Sequence, residues 1–230
     1  MTDAGRWCHR QLGYRFRDPE YLERALTHRS AGGRHNERLE FLGDAVLGFV
    51  IAEALHRALP EADEGHLSRL RASLVRRETL AELAQSKELG PQIRLGSGEL
   101  KSGGCRRASI LADALEAVIG AIYLDGQLPA AREVLGRLYA ARLGALPSPE
   151  SLKDPKTRLQ EYLQGRGLPV PSYEVTEVSG EKHRQTFTVR CEIEALERSV
   201  SGSGTSRRRA EQEAAGRMLS ELEPTESSDD

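Results

Sequence analysis

The pattern of apolar and polar residues predicts a first part of the chain that is rich in helices and built around one long helix. Residues 36–59 carry apolar side chains on nearly every face, which is typical of a helix buried within a domain, and Pro60 ends the segment. Glu37, Glu40 and Asp44 are spaced so that they share one narrow stripe of this helix. Buried carboxylates are costly unless something compensates their charge.

A second apolar segment, at residues 109–125, repeats this pattern. Asp113 and Glu116 are its only charged residues before the helix ends near residue 125. A loop predicted at residues 61–65 could direct Glu64 toward the same region. The alternative for Glu64 is an acid that is simply favoured near the start of the next helix, which is predicted from about residue 66.

The two acidic helices predict one shared cation site with four or five carboxylates. Such a cluster cannot be fully ionised without a cation, and a ligand set made only of oxygen favours a hard divalent ion such as Mg²⁺ or Mn²⁺. A di-iron carboxylate site would need a Glu-x-x-His pattern, which neither acidic stripe contains. The alternative is that each acid forms a local ion pair with a neighbouring arginine such as Arg38.

The remaining pattern divides the chain into a helical part and a part that mixes helices and strands. The glycine-rich residues 95–104 are expected to form a flexible loop, and a helix at 130–143 closes the first part. Residues 144–149, with two prolines and small residues, are the best candidate for a linker. The elements predicted beyond it are a helix from residue 154, strands at 173–178, 185–195 and 198–200, and a helix from about residue 206. This α-β-β-β-α order predicts a domain with two helices on one face of a sheet.

Composition and cysteine usage narrow the class of protein. The chain has 230 residues, and no apolar run reaches the roughly 18 residues needed to cross a membrane. The first residues lack the apolar core of a signal peptide. Cys8, Cys105 and Cys191 form no Cys-x-x-Cys pair, which argues against a zinc site and a disulfide framework. We therefore expect a cytoplasmic protein with no membrane partner.

The charge distribution points to nucleic acid as a partner. The net charge is only −2, but four acids lie in the last eight residues, so the rest of the chain is near neutral. Arg207, Arg208 and Arg209 lie at the start of the last predicted helix, where each cation is disfavoured by about 0.3–1 kcal/mol. A phosphate bound there would pair with these arginines and accept from the free N–H groups of the helix start. The alternative is that the arginines form a basic face that only solvent contacts. Because the predicted sheet lacks exposed aromatic pairs, recognition of a duplex by shape fits better than stacking of single strands.

Several segments resemble the bacterial ribonuclease III family, and together they cover the chain apart from its acidic tail. They are THRS at 27–30, NERLEFLGDAVL at 36–47, ELKSGG at 99–104, ILADALEAVIG at 110–120, DPKTRLQEYLQ at 154–164 and GSGTSRRRAEQEAA at 202–215. The resemblance implies an all-α endonuclease domain at 1–146 and a linker at 147–153. It further implies an α+β double-stranded-RNA-binding domain at 154–222. The acidic tail at 223–230 lies outside the resemblance, and its composition predicts disorder.

Candidate site residues of the endonuclease domain follow from the resemblance. Glu40, Asp113 and Glu116 would bind Mg²⁺, for which Mn²⁺ can substitute. Asp44 and Glu116 would be the catalytic residues. Further acids of the same site, whose individual roles the resemblance leaves open, are Glu37 and Glu64.

The resemblance also implies two kinds of partner. The second domain would bind double-stranded RNA through residues on its two helices and one loop, namely Thr157, Gln160, Glu161, His183, Arg207 and Arg208. Phe41 resembles a side chain that packs into the second subunit of a homodimer. The expected substrates are ribosomal RNA precursors and structured messenger RNAs.

The expected reaction is Mg²⁺-dependent hydrolysis of both strands of double-stranded RNA, which leaves 5′-phosphates and short 3′ overhangs. A non-catalytic regulator that binds double-stranded RNA on the same scaffold is one alternative, weakened because every candidate acid is present. A metal–carboxylate redox protein is the second alternative, and the acidic helices lack the histidine ligands that it would need.

Overall fold

The computed structural model describes residues 2–147, 153–181 and 184–222. The chain divides into two compact units, Met1–Pro147 and Ser148–Asp230. His183, most of the expected linker and the acidic tail lie outside the described residues. No helix in the described ranges is long and apolar enough to span a membrane.

The first unit is all α-helical, as the sequence predicts. Its helices are α1 (Asp3–Leu12), α2 (Pro19–Ala25), α3 (Glu37–Ala58), α4 (Glu64–Val75), α5 (Arg77–Ser86), α6 (Ser97–Lys101) and α7 (Ala108–Leu143). The two acidic helices, α3 and α7, pack against each other, and α7 also packs against α2 and α5. The core of the unit therefore lies around the first half of α7, where nearly every residue between 110 and 122 is buried.

Helix α7 is interrupted near the position where the sequence predicts the end of the acidic helix. Gln127 has a left-handed φ of 60°, and the helix resumes beyond it. Asp125, just before the interruption, is buried and accepts hydrogen bonds from the hydroxyl of Tyr14 and from the backbone N–H groups of Arg17 and Asp18. These bonds attach the segment before α2 to α7 and lower the pKa of Asp125 against the opposing effect of its burial.

Two local predictions for the first unit are wrong. Glu64 lies in the first turn of α4 and not in a loop, because the side chain of Asp63 caps the helix by accepting from the His66 N–H at 2.6 Å. The expected flexible loop at 95–104 contains α6. Tertiary contact orders this segment, since a Cβ atom on Gly96 would lie 2.1 Å from the carbonyl oxygen of Ser30.

The second unit has the predicted α-β-β-β-α order. Its elements are α8 (Pro155–Gln164), β1 (Ser172–Ser179), β2 (Thr186–Ile193), β3 (Arg198–Gly204) and α9 (Arg207–Leu222). The three strands form an antiparallel sheet in the order β1-β2-β3, with Val189 of β2 opposite Val175 and Gly202. Strand β3 continues to Gly204, beyond the end predicted at residue 200.

Helix α9 lies directly on strand β3. A Cβ atom on Gly202 would lie 2.2 Å from the backbone nitrogen of Ala214, so only glycine permits this approach. Ala210, Ala214 and Met218, which the helical period places on one stripe, are all fully buried.

Candidate metal centre and nucleic-acid interface

The acidic site forms where α3 and α7 cross, at two glycines. A Cβ atom on Gly43 would lie 1.8 Å from the carbonyl oxygen of Glu116, and one on Gly120 would lie 2.3 Å from a carbonyl oxygen of α3. Glu40 and Asp44 flank Gly43 within one turn, and Glu116 lies one turn before Gly120. The crossing therefore brings the two acidic stripes together.

Three of the predicted metal ligands form a compact group. Glu40, Asp113 and Glu116 each offer a carboxylate oxygen, and these oxygens lie within 4.8 Å of one another. All three residues are half-buried, whereas Asp44 is exposed and lies outside the group. The charge of Asp44 nevertheless affects Glu116 strongly, so Asp44 lies close to the edge of the group.

Burial and mutual repulsion disfavour the ionised form of this group. Burial, together with the neighbouring charges of Asp44, Glu40 and Asp113, raises the pKa of Glu116 to about 8. Burial also raises the pKa of Glu40, with a further contribution from Asp113. The pKa of Asp113 is raised by burial against the opposing charge of Arg77. A cation among these oxygens would remove the repulsion, so the donor set fits a hard divalent ion.

Local ion pairs do not compensate the group within the described ranges. None of Glu40, Asp113 and Glu116 has an arginine or lysine nitrogen within 4.0 Å there. Glu37 does have such a partner, since its Oε1 lies 3.3 Å from Nη1 of Arg29. Glu64 accepts a hydrogen bond from the Ser68 hydroxyl at 2.7 Å and does not belong to the group.

A cleft of about 620 Å³ gives access to the acidic group. Glu37, Glu40 and Asp113 line one part of it, and the remainder is lined by Glu99 of α6 and by residues of the turn before α3 and of the start of α7. Glu116 and Asp44 do not line this cleft. The arrangement can therefore hold a cation at one end of a groove that is large enough for part of a polymer.

The predicted RNA-binding residues of the second unit lie on exposed parts of α8 and α9. Gln160, Glu161 and Arg208 are exposed. Arg207 is exposed as well, and its Nε donates to Glu211 at 2.9 Å. Glu211 also accepts from Nζ of Lys156 in α8 at 2.7 Å, so it joins the two helices.

Thr157 has a structural partner of its own. Its backbone N–H and its hydroxyl both bond the Asp154 carboxylate that caps α8, each at 3.1 Å. The Asp154 carboxylate also accepts from the side chain of Gln212 in α9 at 2.8 Å. This contact fixes the start of α8 against α9, and with it the relative positions of the candidate RNA-binding residues.

Comparison with known proteins agrees with this architecture. The family model described as Ribonuclease-III-like matches residues 18–143, and that described as Double-stranded RNA binding motif matches residues 155–222. Ribonuclease 3 of Pasteurella multocida is 57% identical over 223 residues, which cover 97% of this chain and 99% of that protein. The chain belongs to the ribonuclease III family. This ribonuclease III is also 58% identical to Ribonuclease 3 of Vibrio cholerae over 212 residues, 92% of this chain and 94% of that one.

Solved structures resemble the first unit of this ribonuclease III. The nuclease domain of ribonuclease III from Campylobacter jejuni is 40% identical in sequence, with a TM-score of 0.60. The match covers 64% of this chain and all of the Campylobacter jejuni chain. A second structure of that domain is 43% identical with a TM-score of 0.57, and covers 59% of this chain and 95% of that chain. The family, the fold class and the kind of enzyme that the sequence predicts are confirmed, and the redox alternative is wrong.

One expectation about the long acidic helix of this ribonuclease III is wrong for the single chain. Helix α3 is not buried on every face, since Phe41 is 81% exposed and Phe49 is also exposed. Ala45, halfway between them along the same face, is exposed too. In the described part of the unit Phe41 stays open to solvent, and Phe49 is covered only in part, by the guanidinium of Arg132 from α7, 5.9 Å from the ring centroid. An apolar pattern alone does not distinguish such an open face from a buried one.

The glycines at the crossing are the functional residues that the sequence interpretation missed. Gly43 and Gly120 lie inside apolar helical segments, where a glycine costs about 1 kcal/mol relative to alanine. A glycine retained at such a position indicates a close approach by another backbone. The same interpretation also missed the basic and polar residues on the cleft wall, because they are spread over separate segments of the sequence.

Proposed function

We propose that this ribonuclease III cleaves both strands of double-stranded RNA by Mg²⁺-dependent hydrolysis of phosphodiester bonds. The products would carry 5′-phosphates and short 3′ overhangs. The observation that carries the proposal is the group formed by Glu40, Asp113 and Glu116, three half-buried carboxylates on two helices that touch backbone to backbone. Such a group is costly to maintain in a folded protein unless it has a cationic ligand.

The oxygen donors of this group would hold Mg²⁺, with Mn²⁺ as a substitute. When bound, the ion would supply a Lewis acid that polarises the reacting phosphate and stabilises the negative charge that develops on it. Glu116 would lose its proton as the ion binds, since its pKa in the ion-free site is about 8. Asp44, which is exposed beside the group, would hold and orient the attacking water.

The second unit would supply most of the affinity for the duplex. Arg207 and Arg208 at the start of α9 are placed to meet phosphates, and Thr157, Gln160 and Glu161 on α8 would meet the minor groove. Contacts to 2′-hydroxyl groups would distinguish RNA from DNA. We propose ribosomal RNA precursors and structured messenger RNAs as the cellular substrates.

A homodimer would explain the exposed apolar face of α3. Phe41 and Phe49 together present two large apolar side chains to solvent, which is unusual for an isolated subunit. One of the similar Campylobacter jejuni nuclease-domain structures is described by flexibility in a region involved in dimer formation. Two subunits related by a twofold axis would present one acidic group to each strand of the duplex.

Mapping the products of a defined duplex tests this function. The duplex is labelled at the 5′ end of each strand in turn and incubated with the protein and Mg²⁺, beside each strand alone. We expect staggered cuts on both strands, products that a 5′-phosphate-dependent exonuclease degrades, and no cutting of the single strands. Binding of the duplex without cutting under any divalent ion would instead indicate a regulator that binds double-stranded RNA.

A further inference from the structure

The part of the cleft wall formed by the turn before α3 carries an arginine that pairs with one of the acids. Arg29 lies in a short 3₁₀ turn, Arg29–Ala31, just before α3. Its Nη1 lies 3.3 Å from Oε1 of Glu37, and its side chain is 71% exposed. Burial raises the pKa of Glu40 and Asp113, and the charge of Arg29 opposes that rise, so Arg29 lies within electrostatic reach of the acidic group.

Asn36 places an unused carboxamide on the same cleft. The residue is only 2% exposed, yet it lines the cleft beside Glu37 and Glu40. It occupies the position before the first turn of α3, where an asparagine usually caps the helix. Here its backbone is already helical and its side chain makes no capping hydrogen bond. No hydrogen bond of this side chain to any other described residue occurs either. The amide atoms are not sealed from solvent and the residue lines the cleft, so they are available to a ligand there.

Arg107, the other arginine of the cleft, is already occupied. Its guanidinium lies 2.9 Å from the carboxylate of Glu99 and also donates to the hydroxyl of Ser102. Among the described residues, Arg29 has a single ion pair, the 3.3 Å contact with Glu37, which is longer than the 2.9 Å contact of Arg107 with Glu99. Arg29 is therefore the cation of this wall that can most easily exchange its partner.

The charges of the cleft determine when an anion can enter. Four acids line it, Glu37, Glu40, Glu99 and Asp113, against two arginines. With the acids ionised, the cleft repels a phosphate. A divalent ion held by Glu40 and Asp113 would remove this excess of negative charge and leave the wall of Arg29 and Asn36 attractive to an anion.

We propose that Arg29 and Asn36 hold a backbone phosphate of the RNA next to the one that is cut, and that this contact forms only when the acidic group holds its divalent ion. The inference rests on the proposed function, because it assumes that the scissile phosphate lies at the acids. Phosphates repeat along a strand, so a phosphate at the acids places its neighbour farther along the cleft, where Arg29 and Asn36 line the wall. The guanidinium of Arg29 then leaves the carboxylate of Glu37 and pairs with the phosphate, and Asn36 donates its amide N–H to a phosphate oxygen.

The proposal makes Arg29 and Asn36 positioning residues whose effect appears in binding without any turnover. Binding of the RNA and of the ion must then favour each other reciprocally, because each improves the site for the other. The affinity of the full-length chain for a short RNA duplex is measured by fluorescence anisotropy with Ca²⁺ and with a chelator, and gels verify that the duplex stays intact. Ca²⁺ also screens the phosphates that the second unit binds, and this effect is the same for the wild type and for variants of the cleft. The difference between their affinity ratios therefore isolates the contribution of the cleft.

We expect the wild-type chain to bind the duplex at least about fivefold more tightly with Ca²⁺ than with the chelator. Arg29→Gln and Asn36→Leu should lose most of this gain and keep the wild-type affinity in the chelator. Arg29→Lys should recover part of the gain. The matched control is Arg142→Gln, which removes a surface arginine that pairs with Glu82 at 2.7 Å outside the cleft and should keep the full gain.

Two results would overturn the inference: the full Ca²⁺ gain in Arg29→Gln, or an equal loss of affinity with and without the ion. If Asn36→Leu fails to fold by thermal melting, the exposed Arg29 decides the question alone. The proposed function fails by a different result, the absence of cleavage by the wild-type chain with Mg²⁺. If the wild type cleaves with Mg²⁺ but the variants keep the wild-type gain in affinity with Ca²⁺, this inference is wrong and the proposed nuclease function still stands.

Discussion

The backbone nitrogen of Gly120 lies 3.0 Å from the position that a Cβ atom on Gly43 would occupy. The two helices that carry the acids therefore touch backbone to backbone, and the separation of the carboxylates is set by main-chain contact and not by flexible side chains. A side chain of any size at this crossing would change the separation of Glu40 from Glu116. The metal group depends in this way on two residues that have no functional groups of their own.

Gly43→Ala should both destabilise the protein and weaken its binding of divalent ions. The new methyl group would lie 1.8 Å from the carbonyl oxygen of Glu116, so the helices must move apart. Overpacking of this kind costs about 1–3 kcal/mol or more. Denaturant unfolding and calorimetric titration with Mn²⁺ measure the two effects.

The control for this substitution is Gly136→Ala in the second half of α7, where a Cβ atom meets nothing within 4 Å. It should leave ion binding unchanged and raise the stability by up to about 1 kcal/mol. Wild-type stability and ion affinity in Gly43→Ala would show that the crossing does not set the site.

The raised pKa of Glu116 predicts how the stability of the ion-free protein depends on pH. The pKa is about 8 in the folded chain, against an ordinary value of 4.5. Between these values the folded state binds more protons than the unfolded state, so the free energy of unfolding falls as the pH rises through this window. Urea unfolding in a chelator measures this slope.

Glu116→Gln should flatten the slope, because it removes the group that must release its proton. Glu40 and Asp113, whose pKa values are also raised, would retain a smaller dependence of the same sign. Saturating Mn²⁺ should stabilise the wild type more strongly at the upper end of the window, where the site is free of protons. A stability that rises with pH in the chelator would contradict this account of the acidic group.

The sequence predicts the chemistry of the site better than its geometry. The acidic stripes of α3 and α7 follow from the helical period, and Glu40, Asp113 and Glu116 do lie together. The separation between them depends on a contact between distant segments, which no local pattern contains. Glu64 illustrates the same limit, because the pattern of residues 61–65 predicts an acidic loop and does not show that Asp63 caps α4 and places Glu64 in its first turn.

Phe41→Asp should convert a dimer into a monomer. An 81% exposed phenylalanine gains little stability for the single chain, so its replacement should leave the folding of the subunit intact. Sedimentation velocity at micromolar concentration measures the oligomeric state. Val178→Asp, which replaces an exposed apolar residue of β1 in the second unit, is the control and should sediment like the wild type. A wild-type chain that is already monomeric would contradict the proposed dimer.

Replacing both Arg207 and Arg208 by alanine should weaken binding to every RNA duplex, whatever its sequence. Phosphate contacts release counterions, so the slope of log affinity against log salt should become shallower by about two. Filter binding over a range of salt concentrations measures the slope. Arg217→Ala is the control, since Arg217 is engaged by Glu213 and by the carbonyl oxygen of Ser201 farther along α9. An unchanged slope in the double variant would remove these arginines from the phosphate interface.

The central claim is that the carboxylates at the crossing of α3 and α7 make this chain a metal-dependent nuclease for double-stranded RNA. Cleavage of an end-labelled RNA duplex by the wild type, Asp44→Asn and Glu116→Gln tests it most directly, with Mg²⁺ and with Ca²⁺ and with duplex binding measured in parallel. We expect the wild type to cut with Mg²⁺ only, and both variants to bind the duplex normally while cutting more than about a hundredfold more slowly. Cutting by Glu116→Gln at the wild-type rate, or loss of duplex binding together with cutting, would contradict the claim.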